Sequence, residues 1–256
     1  MDKIICVCED SVDGIFTAIY KAWEIGTSKT LIEIRGIKTM TLFAEYIEVN
    51  TDTELASKVA ASIHSKISEE VYYYVYRAAL SDDSDKAQYI YEFLLKAFRM
   101  GKDIIHKLQD ESVMKIFELA RKVGNESHKY LGFVRFCELE NGILSAKINP
   151  LANVVSIVAE HFADRLHNEN WVILDTTRNI AAVHRAGYGF VLTNDISEQD
   201  LDQFSNKSEN EEKYQLLWNR FFDTIAIDER KNKKLQQQLM QLRYIKYMYG
   251  SWFVSP

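Results

Sequence analysis

The chain has almost no proline: Pro150 and Pro256 are the only two among 256 residues, so long irregular linkers are not expected. Cysteine is scarce as well. Cys6, Cys8 and Cys137 form an odd set that fits no disulfide framework and agrees with a reducing compartment. The Cys-x-Cys pair at 6 and 8 has no second ligand pair, which argues against zinc. On a strand the two side chains share a face, where free cysteine is usually buried. No apolar run reaches membrane-spanning length, and the opening M-D-K-I-I-C-V-C-E-D lacks the layout of a signal peptide. A soluble, cytoplasmic chain with no membrane partner is expected. Glycine-rich phosphate loops are missing too. The one G-x-G, Gly187-Tyr188-Gly189, falls inside an expected hairpin with no helix behind it. G-x-S-x-G, H-E-x-x-H and C-x-x-C are absent, so a standard hydrolase, zinc enzyme or dehydrogenase has little support, and neither metal nor cofactor is expected.

Apolar residues make up 47% of the chain and aromatics 12%, enough for a sizeable core in one large or two small domains. Lys3 to Cys8 predicts a buried strand. Asp10 or Ser11 caps a helix whose Ile15, Phe16 and Ile19 recur at helical spacing, and Gly26 ends it. Thr41 to Val49 predicts a strand. Helices are expected from Thr51 or Asp52 through Ile63, over Ser68 to Leu80, over Asp85 to Met100 and from Glu111 to about Leu131. Beyond them, Gly132 to Leu139 and Ile143 to Ile148 predict a hairpin closed by Glu140-Asn141-Gly142, because Asn-Gly supplies positive φ. Asn153 to Leu166 predicts a helix. Trp171 to Leu174, Ile180 to His184 and Tyr188 to Leu192 predict three strands joined by short turns, hence antiparallel. A polar loop, Asn194 to Asn210, precedes a helix over Glu211 to Ile227 that should bury Tyr214, Leu217, Trp218, Phe221 and Phe222. The fold expected is α+β: a C-terminal antiparallel sheet covered by helices, and a mostly helical N-terminal half with a small β element.

The most informative stretch is the tail. Asp228 to Pro256 holds six basic and two acidic residues, +4 on a chain of net charge −6, so the remainder stands at −10. A basic, aromatic-studded end on an acidic protein is an electrostatic footprint for a phosphate backbone. Lys233 and Lys234, with Gln237 and Gln238, face away from Leu235, Leu239 and Leu242 on an expected short helix. They form either a solvated face or a nucleic-acid contact. Arg243 and Lys246 interleave with Tyr244, Tyr247, Tyr249 and Trp252, a pattern that suits single strands, although clustered aromatics equally form core. Arg230 and Lys231 add to the same charge. Upstream, His161 and Arg165 stand four apart, as do Glu160 and Asp164, so each pair shares a helix face. His161 with Arg165 would grip a phosphate, or else serve only a helix end. His128 and Lys129 complement a helix C-terminus. Arg135, alternating with Phe133 and Cys137 on an expected strand, would stack on a base or hold a phosphate, or else pair with Asp175 or Glu138. Were the protein catalytic, His128, His161, Asp164 and Asp175 are the acid–base groups available.

These residues carry a family resemblance. G-F-V-R-F-x-E-L at Gly132 to Leu139, H-F-A-D-R at His161 to Arg165, E-R-K-N-x-K-L-Q-x-Q at Glu229 to Gln238 and R-Y-x-K-Y at Arg243 to Tyr247 resemble a bacterial family assigned to DNA metabolism or DNA repair. D-G-I-F-T-A-I-Y at Asp13 to Tyr20 resembles it as well. The part after residue 80 is similar to a domain of unknown function that also occurs fused behind uracil-DNA-glycosylase-like domains. The resemblance therefore implies an N-terminal segment over 1–80 and a family domain over 81–256. It also implies a neighbouring radical-SAM protein of DNA modification or repair as partner. The family's usual M-P-x-R-Y-W-K-Y is here Met240-Gln241-Leu242-Arg243-Tyr244-Ile245-Lys246-Tyr247, without the proline and the tryptophan.

The function expected is that of a DNA-metabolism accessory protein that binds DNA through Arg135, His161, Arg165 and the basic tail. The alternatives are an enzyme acting on nucleic acid and a module that docks the radical-SAM partner through residues 1–80.

Overall fold

A computed structural model of the chain describes residues 3–27, 29–36, 43–197 and 206–225, then 227, 229, 232, 234, 235, 238, 240–245 and 247. Two compact units divide it, Met1–Asn125 and Glu126–Pro256.

In the first unit the apolar run at the start becomes β1 (Lys3–Cys8), the centre of a three-stranded parallel sheet of order β2-β1-β3, with β2 over Thr30–Ile34 and β3 over Ala44–Glu48. The sheet is parallel because α1 (Val12–Ile25) carries the chain back before β2 begins. Ser11 caps α1 by accepting from Gly14 N at 2.9 Å, and Gly26, at φ 125°, ends it. Ile15, Phe16 and Ile19 are buried as their spacing predicts, and so are Cys6 and Cys8. Burial pushes the Cys8 thiol up to about 12, which keeps it inert. β2 was not anticipated. Its signal is a short alternation in which Thr30, Ile32 and Ile34 turn inward. Of the strand expected over Thr41 to Val49, Thr41 and Leu42 lie outside the described residues. Four helices follow: α2 (Thr53–Lys66), capped by Asp52, α3 (Glu69–Ala79), capped by Ser68, α4 (Lys86–Met100) and α5 (Glu111–Phe133). A 3-10 turn, Gly101–His106, links the last two.

The second unit is built on a five-stranded sheet, β4 (Cys137–Glu138), β5 (Leu144–Ile148), β6 (Trp171–Asp175), β7 (Ile180–His184) and β8 (Phe190–Thr193), in that order. It is mixed, not antiparallel as expected. β4–β5, β6–β7 and β7–β8 are antiparallel, but β5 and β6 run parallel, because α6 (Val155–Arg165) crosses between them. The Asn-Gly hairpin forms as predicted, with Gly142 at φ 78°.

The strand expected over Gly132 to Leu139 is overturned: α5 runs on to Phe133 and β4 holds two residues. The reason is periodic. Val123, Ser127, Tyr130 and Val134 are buried at helical spacing, so the apolar stripe carries the helix through Gly132.

The last long helix is α7 (Glu209–Ile225). Its expected buried side is open. Tyr214, Leu217, Trp218 and Phe221 are each more than half exposed; the Phe222 side chain lies outside the described residues. α7 is tied down at its first turns, where Ser208 Oγ accepts from Glu211 N at 3.1 Å and Glu211 accepts from Glu138 N at 3.2 Å. A short helix, α8 (Leu242–Ile245), follows in the tail.

Candidate functional site

Two places in the second unit gather the residues that the sequence singles out. The first surrounds the loop Asn149-Pro150-Leu151-Ala152 between β5 and α6. Leu151 N and Ala152 N have no helix or strand partner, and Glu126 of α5 accepts from both at 2.9 Å, one per carboxylate oxygen. Glu126 is 7% exposed. On the loop's other side Arg178, from the β6–β7 turn, donates to the carbonyls of Pro150, Leu151 and Ala152. Asp175 holds that arginine at 3.1 Å and accepts from Thr177 N at 2.8 Å. Asp175 is fully buried, and the arginine it holds is Arg178, three residues along, and not Arg135, for which a pair with Asp175 was one of the readings left open.

The tail docks onto this hub. Arg243 of α8 lies 3.4 Å from Glu126 Oε1, and its guanidinium covers the Tyr244 ring at 5.0 Å. Tyr244 is buried against Tyr130 and Phe133, with ring centroids 4.9 and 5.5 Å away. Tyr247 Oη is 3.1 Å from Thr176 Oγ1. Burial raises the Tyr130 and Tyr244 phenols above their ordinary value, so both stay neutral.

The second place is an open groove of about 680 Å³ between Arg135 and α7, walled by Tyr214, Leu217, Trp218 and Phe221. Arg135 is not on a strand. It follows α5, and its Nη1 donates to the carbonyls of Gly132 at 2.8 Å and Val134 at 2.9 Å, satisfying the helix end. Among the described residues its Nε and Nη2 have no protein acceptor. Glu211 also lines the groove, with its oxygens taken by Glu138 N and by the Gln215 amide at 2.6 Å.

The remaining expected residues are scattered. His128 is exposed within α5 and does not mark its end. On α6, His161 is half-buried with its ring edge-on to Phe162 at 5.2 Å, while Asp164 and Arg165 are exposed. None of these lines the groove beside α7, and Asp175 belongs to the hub. Lys234 is exposed; Arg230, Lys231, Lys233 and Lys246 lie outside the described residues. No three His, Cys, Asp or Glu among the described residues are placed to hold a metal ion. No helix among them is long and apolar enough to cross a membrane. Glu126 went unnoticed in the sequence. Its place as an acid on the apolar stripe of α5 marks it as buried, but nothing in the spacing names its partners.

Fold and site together define a mixed α/β protein with two sheets, whose second unit carries a buried ionic hub and an open aromatic groove. The chain belongs to the family described as "Domain of unknown function (DUF4130)", whose model matches residues 84–249. Comparison with curated proteins returns no match. Among solved structures the chain is similar to the DHH domain of a member of the s1p family of ribosomal proteins. Identity is 12% over 80% of this chain and 86% of that chain, with a TM-score of 0.29, a likeness too slight to indicate a shared fold.

Proposed function

We propose that the protein is an accessory factor of DNA metabolism or repair that binds single-stranded nucleic acid along the α7 groove. The observation that carries this reading is Arg135, with two guanidinium nitrogens unclaimed by described residues, beside the exposed rings of Tyr214, Trp218 and Phe221. Aromatic faces accept any unpaired base, and a guanidinium accompanies the backbone phosphate. A duplex hides its base faces, so single strands are preferred. By sequence the tail adds further cations, of which Lys234 is exposed, whereas Arg243 is committed to Glu126 and contributes nothing to phosphate binding. The resemblance to a bacterial family associated with a radical-SAM protein, and of the part after residue 80 to a domain that also occurs fused behind uracil-DNA-glycosylase-like domains, supports placing this factor beside such an enzyme.

Fluorescence anisotropy with single- and double-stranded oligonucleotides at two salt concentrations tests it. Binding of the single strand should weaken with salt by a log–log slope of about 0.7 per contacted phosphate. Trp218→Ala should weaken it about tenfold, the order of one lost base stack, and Arg135→Ala should also reduce the slope. No binding of either form at low salt sinks the reading.

A further inference from the structure

Gly124 stands in the middle of α5, a 23-residue helix, where glycine is the poorest helix former after proline. Its backbone is helical, so no unusual φ calls for it. Space does: a Cβ at position 124 would lie 2.7 Å from Arg77 Nη1. The bare backbone lets the Arg77 guanidinium lie against α5, where it also covers the Tyr73 ring at 4.3 Å. Around it opens a groove of about 800 Å³, all within the first unit, lined by Tyr73, Tyr74, Met114, Phe117 and Arg121. Tyr74 and Phe117 meet edge to face at 4.3 Å and form an aromatic floor. Among the described residues no carboxylate pairs with Arg77 or Arg121. Glu118, in the same groove, is taken by Lys122 at 2.9 Å and Lys115 at 3.7 Å.

We propose that this groove is a second ligand site and takes a nucleoside phosphate. Two guanidinium groups without carboxylates match a phosphate, and the tyrosine and phenylalanine faces match a flat base. The volume falls within the ordinary range for a small-molecule pocket. Arg77 is pre-positioned by the missing side chain at 124, which explains a glycine that the helix itself disfavours. The site is also divided across the family boundary: α3 precedes residue 84, where the family match begins, and the α5 wall lies inside it. A chain with the matched region alone would lack Tyr73, Tyr74 and Arg77.

Isothermal titration of the full chain with ADP, with pyrophosphate and adenosine as its two halves and a tetraglutamate peptide as a competing anion, tests the site. ADP should bind tighter than either half and tighter than the peptide. Gly124→Ala should weaken ADP by about tenfold or more, as a displaced charge-assisted contact does, while the melting temperature holds or rises, since alanine favours the helix. Arg77→Gln should weaken ADP equally and carries the test should Gly124→Ala lower the melting temperature. Absence of ADP binding up to about 2 mM, a ligand concentration that would reveal even millimolar affinity, overturns the proposal. So do unchanged affinity in Arg77→Gln and a preference for the peptide. The titration contains no oligonucleotide, so it stands or falls apart from the α7 groove.

Discussion

The hub around Asn149 to Ala152 and the groove beside α7 belong to one unit, and each holds an arginine flanked by aromatics. In the hub, Arg243 lies on Tyr244 with a buried carboxylate beside it. In the groove, Arg135 fastens one nitrogen to the end of α5 and meets rings that are largely solvent-exposed. Local composition is nearly the same in the two places. What separates a structural clamp from a ligand surface is whether an acid engages the arginine: Glu126, far away in sequence, reaches Arg243, whereas Glu211 in the groove is taken by Glu138 N and the Gln215 amide. Basic residues among aromatics therefore mark a phosphate site only where no carboxylate from elsewhere in the fold reaches them first.

The largest effect expected from this comparison is in the hub. Glu126→Ala leaves two backbone N–H groups and a half-buried arginine without their acceptor, which should cost about 3–5 kcal/mol, as breaking one side of a buried pair does. Arg243→Ala should cost less, about 1–3 kcal/mol, because Glu126 keeps both backbone donors. Urea unfolding measures both. A loss below about 1 kcal/mol in Glu126→Ala would mean that the hub is not what organises the loop.

The fold was legible where its signals are local. Ser11 and Gly26 bracket α1, Asn141-Gly142 closes its hairpin, and Ile180–His184 forms the expected strand, because caps, turns and alternation act within a few residues. The parallel pairing of β5 and β6 was misjudged although strand, helix and strand were all recognised in order. A helix between two strands is a crossover, and it sets their pairing whatever short turns follow it. The α7 aromatics were misread for another reason: an amphipathic stripe shows that a face is apolar, and says nothing of whether the fold covers it. Of the candidate site, Arg135 stood out in the sequence, but its company was expected to be Phe133 on a strand, and its meeting with the α7 rings was not legible. Nor was the hub, since Glu126 meets Leu151 and Arg243 across long separations that no spacing rule reports.

A surface pair in the first unit calibrates what burial adds to the hub. Lys96 holds Asp110 at 2.7 Å, and Ser112 donates to the same carboxylate at 2.7 Å through its hydroxyl and 2.9 Å through its backbone. The Lys96 hydrogen bond, then those of Ser112, pull the Asp110 carboxyl from its ordinary 3.8 down to about 2. The folded pKa is the lower one, so the pair's contribution is complete above about pH 4 and fades as pH falls toward 2. Both side chains are partly exposed, and solvent screens the pair to below about 1 kcal/mol. Urea midpoints of Asp110→Asn and the unaltered chain should therefore differ slightly at pH 5 and converge near pH 2. A gap that widens on acidification would reverse the sign.

The smallest effect on stability belongs to the groove, and it separates the two arginines most directly. Trp218 is 55% exposed, and its ring lies 6.1 Å from that of Phe221 on the same helix, which alanine preserves. Arg135 contributes bonds to carbonyls that water satisfies almost as well. Trp218→Ala and Arg135→Ala should each change stability by less than about 1 kcal/mol, the range of surface substitutions, while both weaken single-strand binding. Arg243→Ala should do the opposite, lowering the urea midpoint while folded protein keeps its oligonucleotide affinity. Measuring unfolding and anisotropy on the same preparations of all three variants decides between the assignments. If Arg135→Ala unfolds the protein as readily as Arg243→Ala, the exposed rings are the edge of a packed surface and the groove loses its claim to a ligand.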